Sequence, residues 1–211
     1  MLKTKLIRDE IVDKVCKDYT YEFKDIYEFD NHVLDNLPED FGIGLIVGTS
    51  GSGKSILLKD FGKEEFPKWE EDKAVCSHFE TYEEATEKLM ASGFNSIPQW
   101  LVPYDILSTG QKYRVNLART IKDNAVFDEF TSVIDRYTSL SLCNSVEKYI
   151  RNNKIKGVVF ASVHKDIIEY LQPDWVYDTD EKTLTVNSNI YDIEIEDKEV
   201  KYVRPMMEIK F

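Results

Sequence analysis

The chain has 211 residues, of which 42% are hydrophobic and 12% aromatic, a composition sufficient for one globular core. Its formal net charge of −12 disfavours strong nonspecific binding to nucleic acid, because such binding depends on Lys and Arg neutralising phosphates. No apolar run approaches the roughly 20 residues of a membrane-spanning helix, and the charged N-terminus does not resemble a secretory signal. We therefore expect a single cytoplasmic domain over residues 1–211 without a membrane segment.

The first part of the chain, residues 1–40, is predicted to be a β region. Tyr19, Tyr21 and Phe23 alternate with polar residues, which is the period-2 pattern of a half-buried strand. We therefore expect an antiparallel strand within residues 19–29.

A glycine-rich segment, GTSGSGKS, follows the apolar run GIGLIV (Gly42–Val47) and precedes the helical pattern SILLKDF. The apolar run is typical of a strand buried on both faces. Glycines in such a loop let successive backbone amides face a phosphate at a helix N-terminus. Lys54 would reach the β and γ phosphates, and the Ser55 hydroxyl would bind Mg²⁺, which prefers oxygen ligands. The predicted nucleotide-binding residues are Gly48, Thr49, Ser50, Gly51, Ser52, Gly53, Lys54, Ser55 and Ile56.

The segment between this loop and the motif LSTGQ (Leu107–Gln111) mixes charged and aromatic residues. A helix is predicted to begin at Thr81, because Thr81 and Glu84 have the spacing of a capping box. The run KYRVNLARTI after LSTGQ has apolar residues at helical spacing, at Val115, Ala118 and Ile121. LSTGQ is therefore expected at the start of a helix.

Two adjacent acidic residues, Asp128 and Glu129, follow the short apolar run Ala125–Phe127. Asn124 shortens the strand that this run predicts, but it leaves both carboxylates at the strand end. Asp128 would hold Mg²⁺ through water, and Glu129 would orient or deprotonate an attacking water molecule.

The remaining sequence again alternates helical and strand patterns. An amphipathic helix is predicted from Leu140 to Ile150, and GVVFAS (Gly157–Ser162) reads as another buried strand. Alternating strands and helices predict an α/β fold with a central parallel sheet and helices on both faces, besides the N-terminal antiparallel strands. Residues 179–211 alternate apolar and polar side chains, so a β-rich tail is expected.

LSTGQ resembles LSGGQ, the signature of ABC-type ATPases, and the order of motifs from Gly48 to His164 is similar to that of the same family. This resemblance implies a P-loop NTPase fold of the ABC-ATPase type, with a reduced helical subdomain over residues 62–106. It also implies that the signature of one chain contacts the γ phosphate of ATP bound by a second copy of the chain. The signature residues are Ser108, Thr109, Gly110 and Gln111. Thr109 departs from the commoner glycine.

The same resemblance assigns roles to further residues. SVID is similar to the family's D-loop, in which Asp135 would couple the two sites of a dimer. His164 matches the switch histidine, and with Glu129 and Lys54 it completes the predicted catalytic set. Gln99 is the candidate for the glutamine that senses Mg²⁺. The aromatic residue that stacks on adenine stays open among Tyr21, Tyr27 and Phe29.

Several strings, including FNSIPQWLVPYDILSTGQ, DEFTSVIDR and YLQPDWVYD, resemble a narrower group of soluble ABC-type ATPases from bacteria and phages. The ATPase in that group is often fused to a predicted acetyltransferase domain. Because this chain stops at Phe211, the acetyltransferase activity is not expected in it. The resemblance makes a separate acetyltransferase-like protein a candidate partner.

The favoured function is a soluble ATPase that binds and hydrolyses Mg-ATP at a homodimer interface and acts as a conformational switch. A nucleotide-binding subunit of a membrane transporter is the first alternative. The short interval between Ser55 and Leu107 disfavours it, since transporter ATPases usually insert a larger helical subdomain there. A low-turnover, ATP-dependent interaction module is the second alternative.

Overall fold

The structure is a computed structural model that describes residues 2–29 and 34–186. The strands are β1 (Leu2–Lys5), β2 (Ile26–Phe29), β3 (Ile43–Val47), β4 (Val126–Phe127), β5 (Val158–Ser162), β6 (Trp175–Asp178) and β7 (Thr183–Val186). The helices are α1 (Glu10–Tyr19), α2 (Lys54–Leu58), α3 (Tyr82–Ala91), α4 (Ile97–Trp100), α5 (Thr109–Thr120), α6 (Arg136–Asn152) and α7 (Ile168–Leu171). Across these described ranges, none of the helices has both the length and the apolar content needed to cross a bilayer.

A five-stranded sheet with the order β4-β5-β3-β6-β7 forms the centre of the molecule. β3 runs parallel to β5 and β6, and β4 runs parallel to β5. All residues of β3 and β5 are buried. This confirms the predicted parallel sheet and its central strand. β7 is an antiparallel edge strand at the start of the predicted C-terminal tail, and residues 187–211 lie outside the described residues.

Helices cover both faces of the sheet, as predicted. Ile43, Leu45 and Val47 of β3 pack into a core with apolar residues of α5, α6 and α7. Ile46 points to the opposite face, where it shares a second core with Leu57 of α2. The alternation follows from the pleat of the strand, because successive side chains point to opposite faces. A parallel sheet that is buried on both faces needs this double covering.

A glycine in the middle of β3 makes room for the largest side chain of the second core. Gly44 pairs with Trp175 of β6, and a Cβ atom on Gly44 would lie 2.1 Å from Cζ2 of Trp175. Trp175 is fully buried and stacks on Phe61, with ring centroids 5.4 Å apart. The Trp175 ring therefore takes the space that a larger residue at position 44 would need.

A third core lies under the segment between the glycine-rich loop and the LSTGQ motif. Leu89, Phe94 and Trp100 pack there against Val115 and Ala118 of α5. α5 therefore contacts the sheet with one side and this helical segment with the other, because its Leu117 and Ile121 belong to the first core.

The predicted start of α3 is confirmed. The hydroxyl of Thr81 accepts a hydrogen bond from the amide of Glu84 at 3.1 Å. The Glu84 side chain accepts from the amide of Glu80 rather than from that of Thr81. The cap therefore satisfies two amides at this helix start, although the pairing differs by one residue from a regular capping box.

The N-terminal region differs from the expectation in one respect. β2 pairs antiparallel with β1, which confirms a strand over residues 26–29. Tyr19, however, is the last residue of α1, and Tyr19 and Tyr21 are 75% and 78% exposed. The prediction of a half-buried strand from residue 19 onwards is therefore wrong.

The reason for this difference lies in the sequence before Tyr19. Ile11, Val15 and Tyr19 recur every four residues, a helical period that extends over a longer stretch than the alternation after it. Asp9 caps the helix by accepting from the amide of Val12 at 2.9 Å. Thr20 ends it in the left-handed conformation, with φ 55°.

A buried carboxylate joins the beginning of β3 to β6 and α6. Oδ2 of Asp174 accepts hydrogen bonds from the amides of Gly42 at 2.7 Å and Ile43 at 2.9 Å. The guanidinium of Arg151 donates to both carboxylate oxygens, at 2.9 and 2.8 Å. The Asp174 side chain is 1% exposed, so its charge is fully compensated by these four donors.

We predict that Asp174→Ala lowers the free energy of unfolding by about 3–5 kcal/mol, because it leaves two buried amides and the half-buried guanidinium of Arg151 without this acceptor. Urea unfolding followed by circular dichroism measures the loss. Asp40→Ala is the matched control, since Asp40 forms an exposed ion pair with Lys156, and such pairs contribute little. Equal losses in the two variants would contradict the structural role of Asp174.

Candidate nucleotide site

The glycine-rich loop connects β3 to α2, which is the context that the sequence predicts for a phosphate-binding loop. Gly51 has a φ angle of 81°, and Gly48 has one of 152°. A Cβ atom on Gly48 would lie 1.9 Å from Oγ1 of Thr179, whereas one on Gly51 would meet no atom within 4 Å. Glycine is thus required at position 48 by crowding and at position 51 by backbone conformation alone.

Lys54 is 8% exposed, and its ammonium group is held above the loop. Its Nζ atom donates to the carbonyl oxygens of Gly48 at 2.8 Å and Thr49 at 2.6 Å. An ammonium has three hydrogens, and within the described residues the third has no acceptor. Burial lowers the pKa of Lys54, while the carboxylates of Asp180 and Asp128 oppose that change. The lysine is therefore pre-positioned with one N–H left for an anionic ligand.

The turn after β6 supports the loop, a feature that we did not predict from the sequence. Asp180 accepts hydrogen bonds from the amide of Thr49 at 2.9 Å and from its hydroxyl at 2.8 Å. The hydroxyl groups of Thr179 and Ser52 are 2.6 Å apart. Because β3 and β6 are parallel neighbours, the residues that follow them meet at one edge of the sheet. Only this pairing brings Asp180 to the loop, so no local motif could have identified it.

Two acidic residues follow β4 at the same edge of the sheet. The amide of Glu129 donates to Oδ1 of Asp128 at 2.9 Å, and the Glu129 side chain is exposed. The charges of both carboxylates act on Lys54, so the structure places both of them near the glycine-rich loop. Glu129 and Thr131 have positive φ angles of 47° and 73°. Such strained conformations persist where surrounding contacts enforce them and are concentrated at functional sites.

His164 lies one residue beyond the end of β5. Its Nδ1 atom is 3.2 Å from the hydroxyl oxygen of Thr131. The amide of His164 donates to the hydroxyl of Ser162 at 3.1 Å, and that hydroxyl donates to the carbonyl of Phe130 at 2.9 Å. These bonds join the loops that follow β4 and β5. Burial lowers the pKa of His164, and the positive charge of Arg136 lowers it further.

A third carboxylate, Glu64, approaches the acidic pair and was missed by the sequence analysis. Burial raises the pKa of Glu64, the charges of Asp128 and Glu129 add to the rise, and a hydrogen bond from the backbone of Asp128 opposes it. The position of Glu64 follows from Gly62, where a Cβ atom would lie 3.5 Å from Cγ1 of Val126 in β4. The segment after α2 thus runs beside β4, and the sequence KEEF carries no signal of that.

The oxygen ligands at this edge of the sheet fit a cation that binds together with phosphate. Within residues 2–29 and 34–186, no group of three His, Cys, Asp or Glu side chains is arranged to hold a metal ion. Mg²⁺ does not need such a group, because it keeps several waters and commonly takes one or two carboxylates plus phosphate oxygens. The Ser55 hydroxyl at the start of α2 is exposed, and Asp128 lies at the same sheet edge.

The signature motif begins α5, as expected. Ser108 and Gln111 form a capping box, in which Oε1 of Gln111 accepts from the Ser108 amide at 2.9 Å. Nε2 of Gln111 donates to Oε1 of Gln99 at 2.6 Å. In the described part of the chain, no hydrogen bond joins Gln99 to Ser55 or Asp128. The structure therefore places Gln99 beside the signature, and a metal-sensing role for it stays a prediction.

The segment that follows the acidic pair in the sequence packs against the start of α5, where the signature lies. A Cβ atom on Gly110 would lie 3.2 Å from the carbonyl oxygen of Val133 and 3.1 Å from the Ile134 side chain. Asp135 caps α6 by accepting from the amide of Thr138 at 3.0 Å, and hydrogen bonds from Thr138 lower its pKa. The predicted dimer-coupling residue is thus held next to the signature of its own chain.

One of the comparisons with known proteins supports the fold. No protein-family model matches the chain, and no curated protein matches it. A dimeric structure of MJ0796, a bacterial ABC transporter cassette, aligns with a TM-score of 0.49 at 17% identity, over 68% of this chain and 83% of that one. A dimeric post-hydrolysis state of the ATP-binding cassette MJ0796, bound to ADP and Pi, aligns with a TM-score of 0.52 at 17% identity, over 75% and 89%. The chain has the P-loop fold of the ABC ATPase cassettes.

The crowding at Gly48 generates a prediction about stability. Gly51→Ala should lower the free energy of unfolding by about 1–2 kcal/mol, because alanine is strained in the left-handed conformation. Gly48→Ala should lower it more, because its Cβ atom also displaces the turn at Thr179. For a chain of this length, each kcal/mol lowers the unfolding temperature by about 2–4 °C. Differential scanning calorimetry measures both variants, and a smaller loss in Gly48→Ala would contradict the packing described here.

Proposed function

We propose that this protein is an ABC-type ATPase that binds and hydrolyses Mg-ATP between two copies of the chain. One arrangement carries the proposal. Lys54, with one N–H unused, shares a sheet edge with the acidic pair Asp128 and Glu129 and with His164. A phosphate-binding lysine, a metal-binding acid, a base for water and a further hydrogen-bonding group are the parts that phosphoryl transfer to water requires.

The loop residues and Lys54 would bind the phosphates of ATP. Backbone amides at the start of α2 and the Lys54 ammonium supply donors and positive charge. Ser55 and Asp128 would hold Mg²⁺, which neutralises charge on the phosphate oxygens when it is bound. The residue that contacts the base stays open among the aromatic candidates, of which Tyr21 and Tyr27 are exposed.

Glu129 would act on the attacking water molecule, because its exposed carboxylate follows the metal-binding acid directly. His164 would direct a ring nitrogen to the γ phosphate. Neither group forms a covalent bond to the substrate, so their contribution is positioning and electrostatic stabilisation. The hydrogen bonds among the loops after β4 and β5 support this role, since they hold both groups before the substrate binds.

The second half of each site would come from the other copy. The signature lies at the N-terminus of α5, and three apolar side chains around it are exposed: Ile106, Val133 and Tyr137. Exposed apolar side chains grouped in this way are typical of interaction surfaces. In the proposed dimer, Ser108 to Gln111 of one copy close over the γ phosphate bound to the other. The alignment with cassettes whose structures are dimeric supports this arrangement.

Hydrolysis would then loosen the dimer, because the γ phosphate is the ligand shared by both copies. This makes the protein a switch whose closed state depends on ATP. The acetyltransferase-like partner implied by the resemblance stays a prediction.

We expect Glu129→Gln to lower kcat for ATP hydrolysis about 10²–10⁴-fold, since it removes the proposed base. Lys54→Ala should abolish both nucleotide binding and turnover. A coupled phosphate-release assay measures the rates, and Glu65→Gln is the control, because Glu65 forms an exposed ion pair with Lys122. Equal hydrolysis by the wild type and Lys54→Ala would contradict the proposed site.

Glu129→Gln should also accumulate as a dimer in the presence of Mg-ATP, because the shared ligand is no longer consumed. Light scattering after gel filtration, with and without Mg-ATP, measures the mass. An unchanged mass would mean that the signature does not close on a second copy unaided.

Mixing two inactive variants tests whether the signature acts across the dimer. Lys54→Ala removes the phosphate site, and Ser108→Arg blocks the signature while leaving Lys54 intact. A mixed dimer pairs one unaltered loop with one unaltered signature, so the mixture should regain hydrolysis that neither variant has alone. Ser108→Arg should still bind ATP by itself, which controls for folding. A mixture as inactive as its components would argue against a site built from two copies.

A further inference from the structure

Thr131 is a fully buried residue that the sequence analysis did not single out. It has a φ angle of 73°, which is unusual for a β-branched side chain. The preceding residue, Phe130, is fixed to β5 by two hydrogen bonds. Its amide donates to the carbonyl of Ala161 at 2.8 Å, and its carbonyl accepts from the hydroxyl of Ser162 at 2.9 Å. The surrounding contacts therefore enforce a conformation in which the Thr131 hydroxyl faces His164.

The direction of the hydrogen bond between Thr131 and His164 follows from the number of available partners. The two atoms, Oγ1 and Nδ1, are 3.2 Å apart. In the described part of the chain, the Thr131 hydroxyl has no second acceptor. If Nδ1 carried the ring hydrogen, it would donate to Oγ1, and the hydroxyl hydrogen would be left unsatisfied in a buried place, which is costly. Donation from Thr131 to an unprotonated Nδ1 satisfies both groups.

We propose that Thr131 is a positioning residue that holds His164 in the tautomer with its hydrogen on Nε2. The ring thereby presents an N–H donor on the side away from Thr131. A neutral imidazole has one donor and one acceptor nitrogen, so the partner of Nδ1 decides what Nε2 can do. Burial and the positive charge of Arg136 lower the pKa of His164, which favours the neutral ring, the form in which the tautomer matters.

The same chain contains a second histidine, His78, whose contacts require the opposite tautomer. Nδ1 of His78 lies 3.0 Å from the carbonyl oxygen of Ala74, and its Nε2 lies 3.0 Å from the amide of Glu70. A carbonyl can only accept and an amide can only donate, so His78 carries its hydrogen on Nδ1. His78 is therefore an internal reference for the assignment of His164.

The consequence for turnover rests on the proposed function. An Nε2–H group can donate to an oxygen of the γ phosphate, whereas an unprotonated Nε2 would face it with a lone pair. Loss of the tautomer should lower kcat about 10²-fold, the lower end of the roughly 10²–10³-fold loss seen when a single stabilising donor is removed. KM should stay within about twofold, because the loop and Lys54 supply most of the ground-state binding.

The test compares two variants. Thr131→Val keeps the shape and the β-branch but lacks the hydroxyl, whereas Thr131→Ser keeps the hydroxyl. Long-range ¹⁵N–¹H spectra of the imidazoles report the tautomers without any nucleotide. The chain has 3 histidines, and His164→Gln assigns the signal of interest.

We expect the Nε2–H form for His164 in the wild type and in Thr131→Ser, and its loss in Thr131→Val, while His78 stays in the Nδ1–H form in all three. A wild-type His164 in the Nδ1–H form would overturn the proposal, even if Thr131→Val does not fold. An unchanged tautomer in a folded Thr131→Val would also overturn it.

Turnover is measured separately. A fall in kcat for Thr131→Val that Thr131→Ser restores would support the positioning role, and an unchanged kcat in Thr131→Val would overturn it. A wild type that does not hydrolyse ATP would contradict the proposed function instead, and the tautomer spectra would remain interpretable.

Discussion

The parallel arrangement of β3, β4, β5 and β6 is the constraint on which the rest of the structure depends. Because the carboxyl ends of parallel strands meet at one edge of a sheet, four loops distant in the sequence become neighbours. They are the glycine-rich loop, the segment with the acidic pair, the segment with His164, and the Thr179–Asp180 turn. The buried contacts that hold the strands in register, such as Trp175 against Gly44, therefore determine the geometry of the site.

Hydrogen bonds between these loops make the site rigid before any ligand binds. Asp180 holds Thr49, Ser162 holds Phe130, and Thr131 contacts His164. Rigid donors contribute more to catalysis than mobile ones, because no free energy is spent on ordering them during the reaction. The positive φ angles of Glu129 and Thr131 fit this view. Their strain is tolerated because the stable sheet on one side and α6 on the other fix the segment between them.

The success of prediction from the sequence depended on how local each signal is. The phosphate loop, the buried strands and the start of α5 were predicted because glycine spacing, apolar runs and capping residues act within a few neighbours. Asp180 and Glu64 were missed because only the pairing of β3 with β6 and the path beside β4 bring them to the site. Tyr19 was assigned to a strand because a short alternation after it overlaps a longer helical period before it.

The position of α5 explains how one chain could present the two half-sites that the proposed dimer requires. The helix packs on the sheet through Leu117 and Ile121, and on the helical segment through Val115 and Ala118. Its N-terminus, with the signature, therefore cannot move independently of either core. Gly110 contacts Val133 and Ile134, which follow the acidic pair by a few residues. In the proposed dimer, a shift of the backbone at Glu129 would move this short segment and with it the signature that contacts the nucleotide of the other copy. The two sites would therefore be coupled by direct packing.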